Sequence, residues 1–186
     1  MPSSSFIVAP VELERHLSAC REHLGTNVTD VAVRTLPQPR RDLLARRLAR
    51  IERNAFLIAE RLENELGDLV AYPGLESHPS FAVAQRLGFR GGCVSFALDD
   101  GALVEDAVAE ARRRSVRLVG GSSFGFDTTR VYLTAARTER TEPFLRVAAG
   151  TEHRLAIEGV ADALVAAIGR ARTPGTFSAS RGVSRT

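Results

Sequence analysis

The spacing of apolar residues predicts two helices in the first third of the chain. Leu13, Leu17, Cys20 and Leu24 recur at steps of three and four, and Gly25 follows as a stop signal. A longer amphipathic pattern covers residues 42–66 and ends at a glycine. A short apolar run over 6–9, closed by a proline, precedes both and is strand-like. These elements alone cannot bury an apolar edge, so we expect residues 1–66 to complete the domain of another chain.

After residue 67 short strands alternate with helices. The apolar runs and period-two alternations predict strands over 69–72, 93–98, 116–119, 129–133 and 144–148. Helical spacing predicts helices over 79–87, 103–114 and 159–170. This order favours an α/β fold, a mainly antiparallel sheet with helices on one face, as a small domain over 67–172. The polar residues 173–186 are predicted to be a disordered tail.

The composition excludes several kinds of chemistry. All 25 basic residues among the 186 are arginine, and the formal net charge is +3. Arginine keeps its proton, so it cannot replace lysine as a Schiff-base nucleophile, and a Walker-type phosphate loop also needs lysine. We therefore interpret the glycine-rich run over 120–125 as a tight turn rather than a phosphate cradle.

Other classes of protein and site are not indicated. The first residues lack the features of a signal peptide and no apolar run could cross a bilayer, so we expect no membrane association and a cytoplasmic location. The four histidines show no metal-ligand spacing, and Cys20 and Cys93 are expected to be buried apolar side chains. Arginines and glutamates alternate along 40–63 without aromatic residues, which is typical of a solvated helix face rather than a nucleic-acid interface.

Four segments, in order, carry a resemblance to a known family. Residues 72–79 read YPGLESHP, 88–96 read GFRGGCVSF, 123–125 read SFG, and 145–153 read LRVAAGTEH. They resemble the YPGL-x-SHP, GFGGMLSF, SLG and VRLSVGIE motifs of the Cys/Met-metabolism family of pyridoxal-phosphate enzymes, which includes cystathionine γ-synthase and γ-lyase. Asn54, in the long predicted helix, resembles part of a further family motif. The resemblance covers roughly residues 3–170 and implies the C-terminal domain of the type I pyridoxal-phosphate transferase fold.

The resemblance also implies a divided enzyme. Residues 4–9 resemble the strand that follows the family's cofactor-binding lysine, so the site would be split between two polypeptides. A separate N-terminal-half polypeptide would supply that lysine and bind most of the pyridoxal 5'-phosphate. The implied assembly is a hetero-oligomer, α2β2 or larger, acting by β- or γ-elimination or replacement on an amino acid with a leaving group. The alternative is a non-catalytic regulatory or interaction module derived from the same family.

The family's residue roles transfer to few positions. Arg146 matches the arginine that binds the substrate α-carboxylate, and its planar fork suits that ligand. Ser123 matches the turn serine beside the substrate and is the candidate catalytic residue, while Phe124 would shape the same substrate-binding turn. Tyr72 and His78 match family positions with packing and turn roles.

The chain also departs from the family pattern near the substrate site. Ser122 stands where the family often has glutamate, and the family's threonine-histidine-alanine loop before Arg146 is missing. These departures leave the substrate and the choice between elimination and replacement open.

Overall fold

The computed structural model describes residues 9–23, 34, 40–97, 102–122, 126–134 and 144–172. The chain divides into two compact units, 1–41 and 42–186. The predicted assignment of residues 1–66 to a partner's large domain stays a prediction, as does the small domain over 67–172. The predicted tail over 173–186 lies outside the described residues.

In the first unit, the structure gives the bounds of one α-helix among the described residues. A 3-10 turn at Val11–Leu13 leads into α1 (Glu14–His23), which confirms the predicted helix. No residue of α1 is buried, and Leu13 and Leu17 are exposed. Cys20 is also exposed, so the expectation that it is buried was wrong. Residues 6–8 of the predicted first strand lie outside the described residues.

The second unit begins with the long helix α2 (Arg41–Leu66), as the apolar spacing predicted. Gly67 ends α2 with φ +57°, a left-handed conformation that glycine adopts without steric cost. The remaining helices are α3 (Phe81–Ala84), α4 (Ala102–Arg113) and α5 (Arg154–Arg172).

Helix α5 begins five residues before the predicted start at Gly159. This glycine is needed for close packing, because a Cβ there would lie 2.7 Å from the Val116 side chain. Helical spacing in the sequence instead predicted the start of the helix at this glycine.

Among the described residues, five strands form one mixed sheet. They are β1 (Val70–Ala71), β2 (Cys93–Phe96), β3 (Val119–Gly120), β4 (Arg130–Thr134) and β5 (Phe144–Ala148). Their order is β1-β2-β5-β4-β3, with only the β3–β4 pair parallel. The β2–β5 register pairs Ser95 with Arg146, and the β4–β5 register pairs Tyr132 with Arg146.

The core lies on one face of this sheet. Strand residues that alternate along β2, β4 and β5 pack in one cluster with α2, α4 and α5. These core-facing strand residues, all at most 1% exposed, are Val94, Phe96, Val131, Leu145 and Val147. Their strand neighbours project from the opposite face, which is the open face of the sheet, and all except the buried Ala148 are half-buried. The α/β fold with a mainly antiparallel sheet is therefore confirmed.

No helix among the described residues is long and apolar enough to span a bilayer. Within the same residues, no three His, Cys, Asp or Glu side chains are grouped so that they could hold a metal ion.

Candidate functional site

Arg146 lies at the centre of the open face. It stands between Leu145 and Val147, both 0% exposed, so the alternation of β5 directs its side chain away from the core. Ser95 on β2 and Tyr132 on β4 are its direct neighbours across the strands. The sheet therefore sets the position of the guanidinium from both sides.

Contacts with Tyr132 and Ser122 orient the Arg146 side chain. Its Nη2 donates to the Tyr132 hydroxyl and, at 3.4 Å, to the carbonyl oxygen of Ser122. The guanidinium carbon also lies 4.5 Å from the centroid of the Tyr132 ring, a cation–π arrangement. A guanidinium oriented in this way can bind a carboxylate through two parallel hydrogen bonds.

The predicted turn that carries the other predicted site residues is described only at its two ends, Ser122 and Phe126. Ser123, Phe124 and Gly125 lie outside the described residues, so the roles of Ser123 and Phe124 stay predictions. On one side of this turn, the Gly121 amide donates to the Val131 carbonyl oxygen at 3.0 Å. On the other side is Phe126, which is half exposed.

Arg130 is a second cation on the open face, and no sequence motif marks it. It alternates with the buried Val131 and projects from the same face as Tyr132. Its guanidinium carbon lies 4.2 Å from the Phe126 ring centroid. A Cβ on Gly121 would lie 3.1 Å from its Nη1, so the glycine permits this approach. The signal that could have revealed Arg130 is its period-two relation to Tyr132.

Cys93 also belongs to the open face. Burial raises the pKa of its thiol, and the positive charge of Arg146 opposes that rise. The thiol is therefore protonated near neutral pH and is not a ready nucleophile. It is half-buried, rather than fully buried as expected.

A buried polar cluster supports β5 and the entry to β4. The Asn54 side-chain amide donates to the carbonyl oxygens of Gly150 and Glu152, each at 3.0 Å. The Glu152 carboxylate accepts from the backbone amide of Thr129 and, at 3.0 Å, from its hydroxyl. The Gly150 amide donates to the Thr129 hydroxyl oxygen at 3.0 Å. These bonds connect α2, the end of β5 and the residue before Arg130.

The predicted packing and turn roles of Tyr72 and His78 are confirmed. Tyr72 is 0% exposed, and its hydroxyl donates to the Gly91 carbonyl oxygen at 3.1 Å. Burial and the nearby Glu52 carboxylate raise the pKa of Tyr72 to about 12. The His78 ring accepts from the Ser80 amide at 3.1 Å, as part of the turn before α3.

The residues of this chain fit an amino-acid carboxylate but do not by themselves fit covalent pyridoxal phosphate. Arg146 offers a carboxylate site, whereas the 186 residues contain no lysine amine with which the cofactor could form its Schiff base. The candidate site can therefore bind a carboxylate through Arg146.

Comparisons with known proteins place the fold among pyridoxal-phosphate-dependent transferases, where it matches the C-terminal domain. No family model matches the chain. It is 27% identical over 172 residues to the bifunctional enzyme flvA of Aspergillus flavus, covering 89% of this chain and 20% of that protein.

Two solved structures resemble most of the chain. Cystathionine γ-synthase from Xanthomonas oryzae pv. oryzae, in complex with aminoacrylate and cysteine, gives a TM-score of 0.61 at 26% identity over 87% of this chain. The apo form of CalE6, a methionine γ-lyase from Micromonospora echinospora, gives a TM-score of 0.59 at 27% identity over 86% of this chain. The chain spans 44% and 42% of these two proteins, which is less than half of either.

Proposed function

We propose that this chain is the substrate-carboxylate-binding subunit of a divided pyridoxal-phosphate enzyme of the cystathionine γ-synthase type. The observation that carries the proposal is Arg146, held by Tyr132 and Ser122 on the open face of a sheet whose fold matches that of these enzymes. The substrate is an amino acid that carries a leaving group, and the reaction is β- or γ-elimination or replacement.

In this proposal a second polypeptide supplies the lysine chemistry that the 186 residues do not contain. It would bring the lysine, the phosphate-binding residues and most of the contacts with the cofactor, in a hetero-oligomer of α2β2 or larger stoichiometry. The absence of lysine from the 186 residues supports this division. When bound, pyridoxal phosphate supplies the electron sink for the amino-acid carbanion.

The contribution of this chain is to bind and orient. The Arg146 fork would hold the α-carboxylate through two charge-assisted hydrogen bonds and so fix the rotation of the substrate about its Cα. Arg146 needs no proton transfer for this role, since a guanidinium stays charged over the whole physiological range.

Co-purification from the native source tests the division. The full chain should elute with a lysine-bearing polypeptide, and the pair should show the visible absorbance of bound pyridoxal phosphate and convert an amino acid with a leaving group. A chain that stays alone, and that gains no cofactor absorbance from any such polypeptide, would contradict the proposal.

Arg146→Ala separates catalysis from assembly. In the active pair we expect kcat/KM to fall by at least roughly 100-fold, because two hydrogen bonds to a charged group are lost, while the two chains still associate. Arg117→Ala, on the loop before β3, is the matched control and should leave turnover unchanged. An assembled pair without activity towards any amino acid would favour the interaction module, to which the serine at position 122 also points.

A further inference from the structure

Arg130 is a second guanidinium on the open face, and the proposed function gives it no role. The β4–β5 register pairs Tyr132 with Arg146 and Arg130 with Ala148. The two arginines are therefore diagonal neighbours on adjacent antiparallel strands. Diagonal neighbours on one face of a sheet lie close enough for long side chains to reach a common ligand.

Both guanidinium groups border the predicted turn over 122–126. Arg146 contacts the Ser122 carbonyl oxygen at its start, and Arg130 stacks on Phe126 at its end. Two like charges held side by side on a half-buried surface repel each other unless an anion compensates them. An anionic ligand that reaches both groups would remove this repulsion.

The Arg130 side chain retains hydrogen-bonding capacity at this position. Its Nε is buried, yet it has no hydrogen-bond acceptor within the part of the chain that the structure describes. Buried donors in native proteins are normally satisfied, so a donor left over next to a proposed ligand site points to the ligand. Stacking on Phe126 occupies the flat face of the guanidinium, whereas a carboxylate binds at the N–H edge.

We infer that Arg130 is a specificity-determining residue that binds a second acidic group on the substrate. The inference rests on the proposed function, in which Arg146 binds the α-carboxylate. The substrate class is then narrowed to amino acids whose side chain or leaving group bears a carboxylate or another oxyanion. Arg146 fixes the amino-acid end, and Arg130 selects the acidic end.

The test uses pairs of amino acids that differ in charge and hardly in shape. L-glutamate and L-glutamine, and L-aspartate and L-asparagine, are titrated into the full chain labelled with ¹⁵N, following the arginine Nε–Hε signals. In at least one pair the acid should bind roughly tenfold more tightly than the amide, as expected for one added charge-assisted hydrogen-bonded contact. The same titrations are repeated with the reconstituted pair of chains.

Arg130→Met should reduce this preference to within about twofold and leave the affinity for the amides unchanged, because only one charged contact is lost. Arg130→Lys keeps the positive charge but not the planar fork, so part of the preference for the acids should remain. If Arg130→Met does not fold, Arg130→Lys serves as the test variant in its place. Arg117→Met is the control and should keep the full preference.

Two results distinguish this inference from the proposed function. If the pair of chains is active but neither form binds an acid more tightly than its amide, the role of Arg130 is refuted and the proposed function stands. If no lysine-bearing partner exists but the isolated chain prefers the acids through Arg130, the divided enzyme is refuted and the two-anion site stands.

Discussion

Asn54 is a single buried side chain on which the position of the site depends. It is 0% exposed on α2, and its amide satisfies two carbonyl oxygens just beyond β5. Arg146 lies four residues before the first of these carbonyls. Asn54 thus joins the sequence of the long helix to the placement of the candidate site.

Asn54→Ala should lower the free energy of unfolding by about 2–4 kcal/mol, because two carbonyl groups lose their donor and a small cavity forms. Urea denaturation would show this as a lower midpoint with an unchanged slope. The exposed Glu60 on the same helix provides the control, since Glu60→Ala should cost less than about 0.5 kcal/mol. Equal effects of the two substitutions would contradict this account.

Gly150 leaves no room for a side chain between β5 and the segment that enters β4. A Cβ at this position would clash with the Asp127 carbonyl oxygen and the Glu152 carboxylate. Since one of these groups is backbone, Gly150→Ala should destabilise the protein by roughly 2 kcal/mol or more. Thermal unfolding measures this effect, and Gly88→Ala, where a Cβ meets nothing within 4 Å, is the control.

Helices α4 and α5 are joined by one carboxylate that binds three arginines. Glu110 accepts from Arg113 at 2.5 Å and from Arg114 at 2.8 Å, both close to it in the chain. Its third partner, Arg170 at 3.2 Å, belongs to α5. Hydrogen bonds from Arg113 and Arg114 lower the pKa of Glu110 from its ordinary 4.5 to about 2.

This lowered pKa predicts an acid-sensitive contact. Because the unfolded chain takes up the proton more readily, Glu110 contributes its full stabilisation above about pH 4.5 and loses it as the pH falls towards 2. Urea midpoints measured across this range should converge for the wild type and Glu110→Gln at the acid end. A difference that stays constant from pH 6 to pH 2 would argue against this role.

Helices and strands were predictable where apolar residues repeat regularly over several turns or strand positions. The 3.6-residue spacing of α2 and the alternation in β2 and β5 gave elements close to those observed. Hydrogen bonding between distant residues was not predictable, which is why the parallel pairing of the short edge strand β3 was missed. The local sequence pattern also placed the start of α5 at Gly159, which is too late. In the structure this glycine lies within α5 and allows close packing against Val116.

The candidate site was predictable only in part, for a similar reason. Arg146 followed from a motif, and the structure places it on the open face beside Tyr132. Arg130 has no motif, and its proximity to the site depends on strand register, which a single sequence specifies weakly. The assignments of Ser123 and Phe124 stay predictions.

For the whole molecule, the exposed apolar residues on the first half of α2 bear on assembly. Leu43 and Leu44 are 51% and 55% exposed. If the divided enzyme exists, this stretch is available to pack against the partner polypeptide. Such packing would remove apolar area from water, which favours association.

Leu44→Glu should weaken association of the two chains by roughly tenfold or more, since a buried apolar contact would become a desolvated charge. It should leave the thermal stability of the isolated chain unchanged, because the side chain is exposed there. Leu155→Glu, at a leucine that is 72% exposed on α5, is the control. Analytical ultracentrifugation would compare the variants, and equal weakening by both would exclude α2 as the specific surface.

The two tyrosines lie in places that make the protein its own optical reporter. The chain has two tyrosines and no tryptophan, so its intrinsic fluorescence comes from these two rings. Tyr72 is enclosed in the core and ionises only near pH 12, whereas Tyr132 contacts the guanidinium of Arg146. We therefore expect emission from the first ring to change on unfolding, and emission from the second to change when a ligand binds Arg146. A Tyr72→Phe variant would therefore report ligand binding without an attached dye.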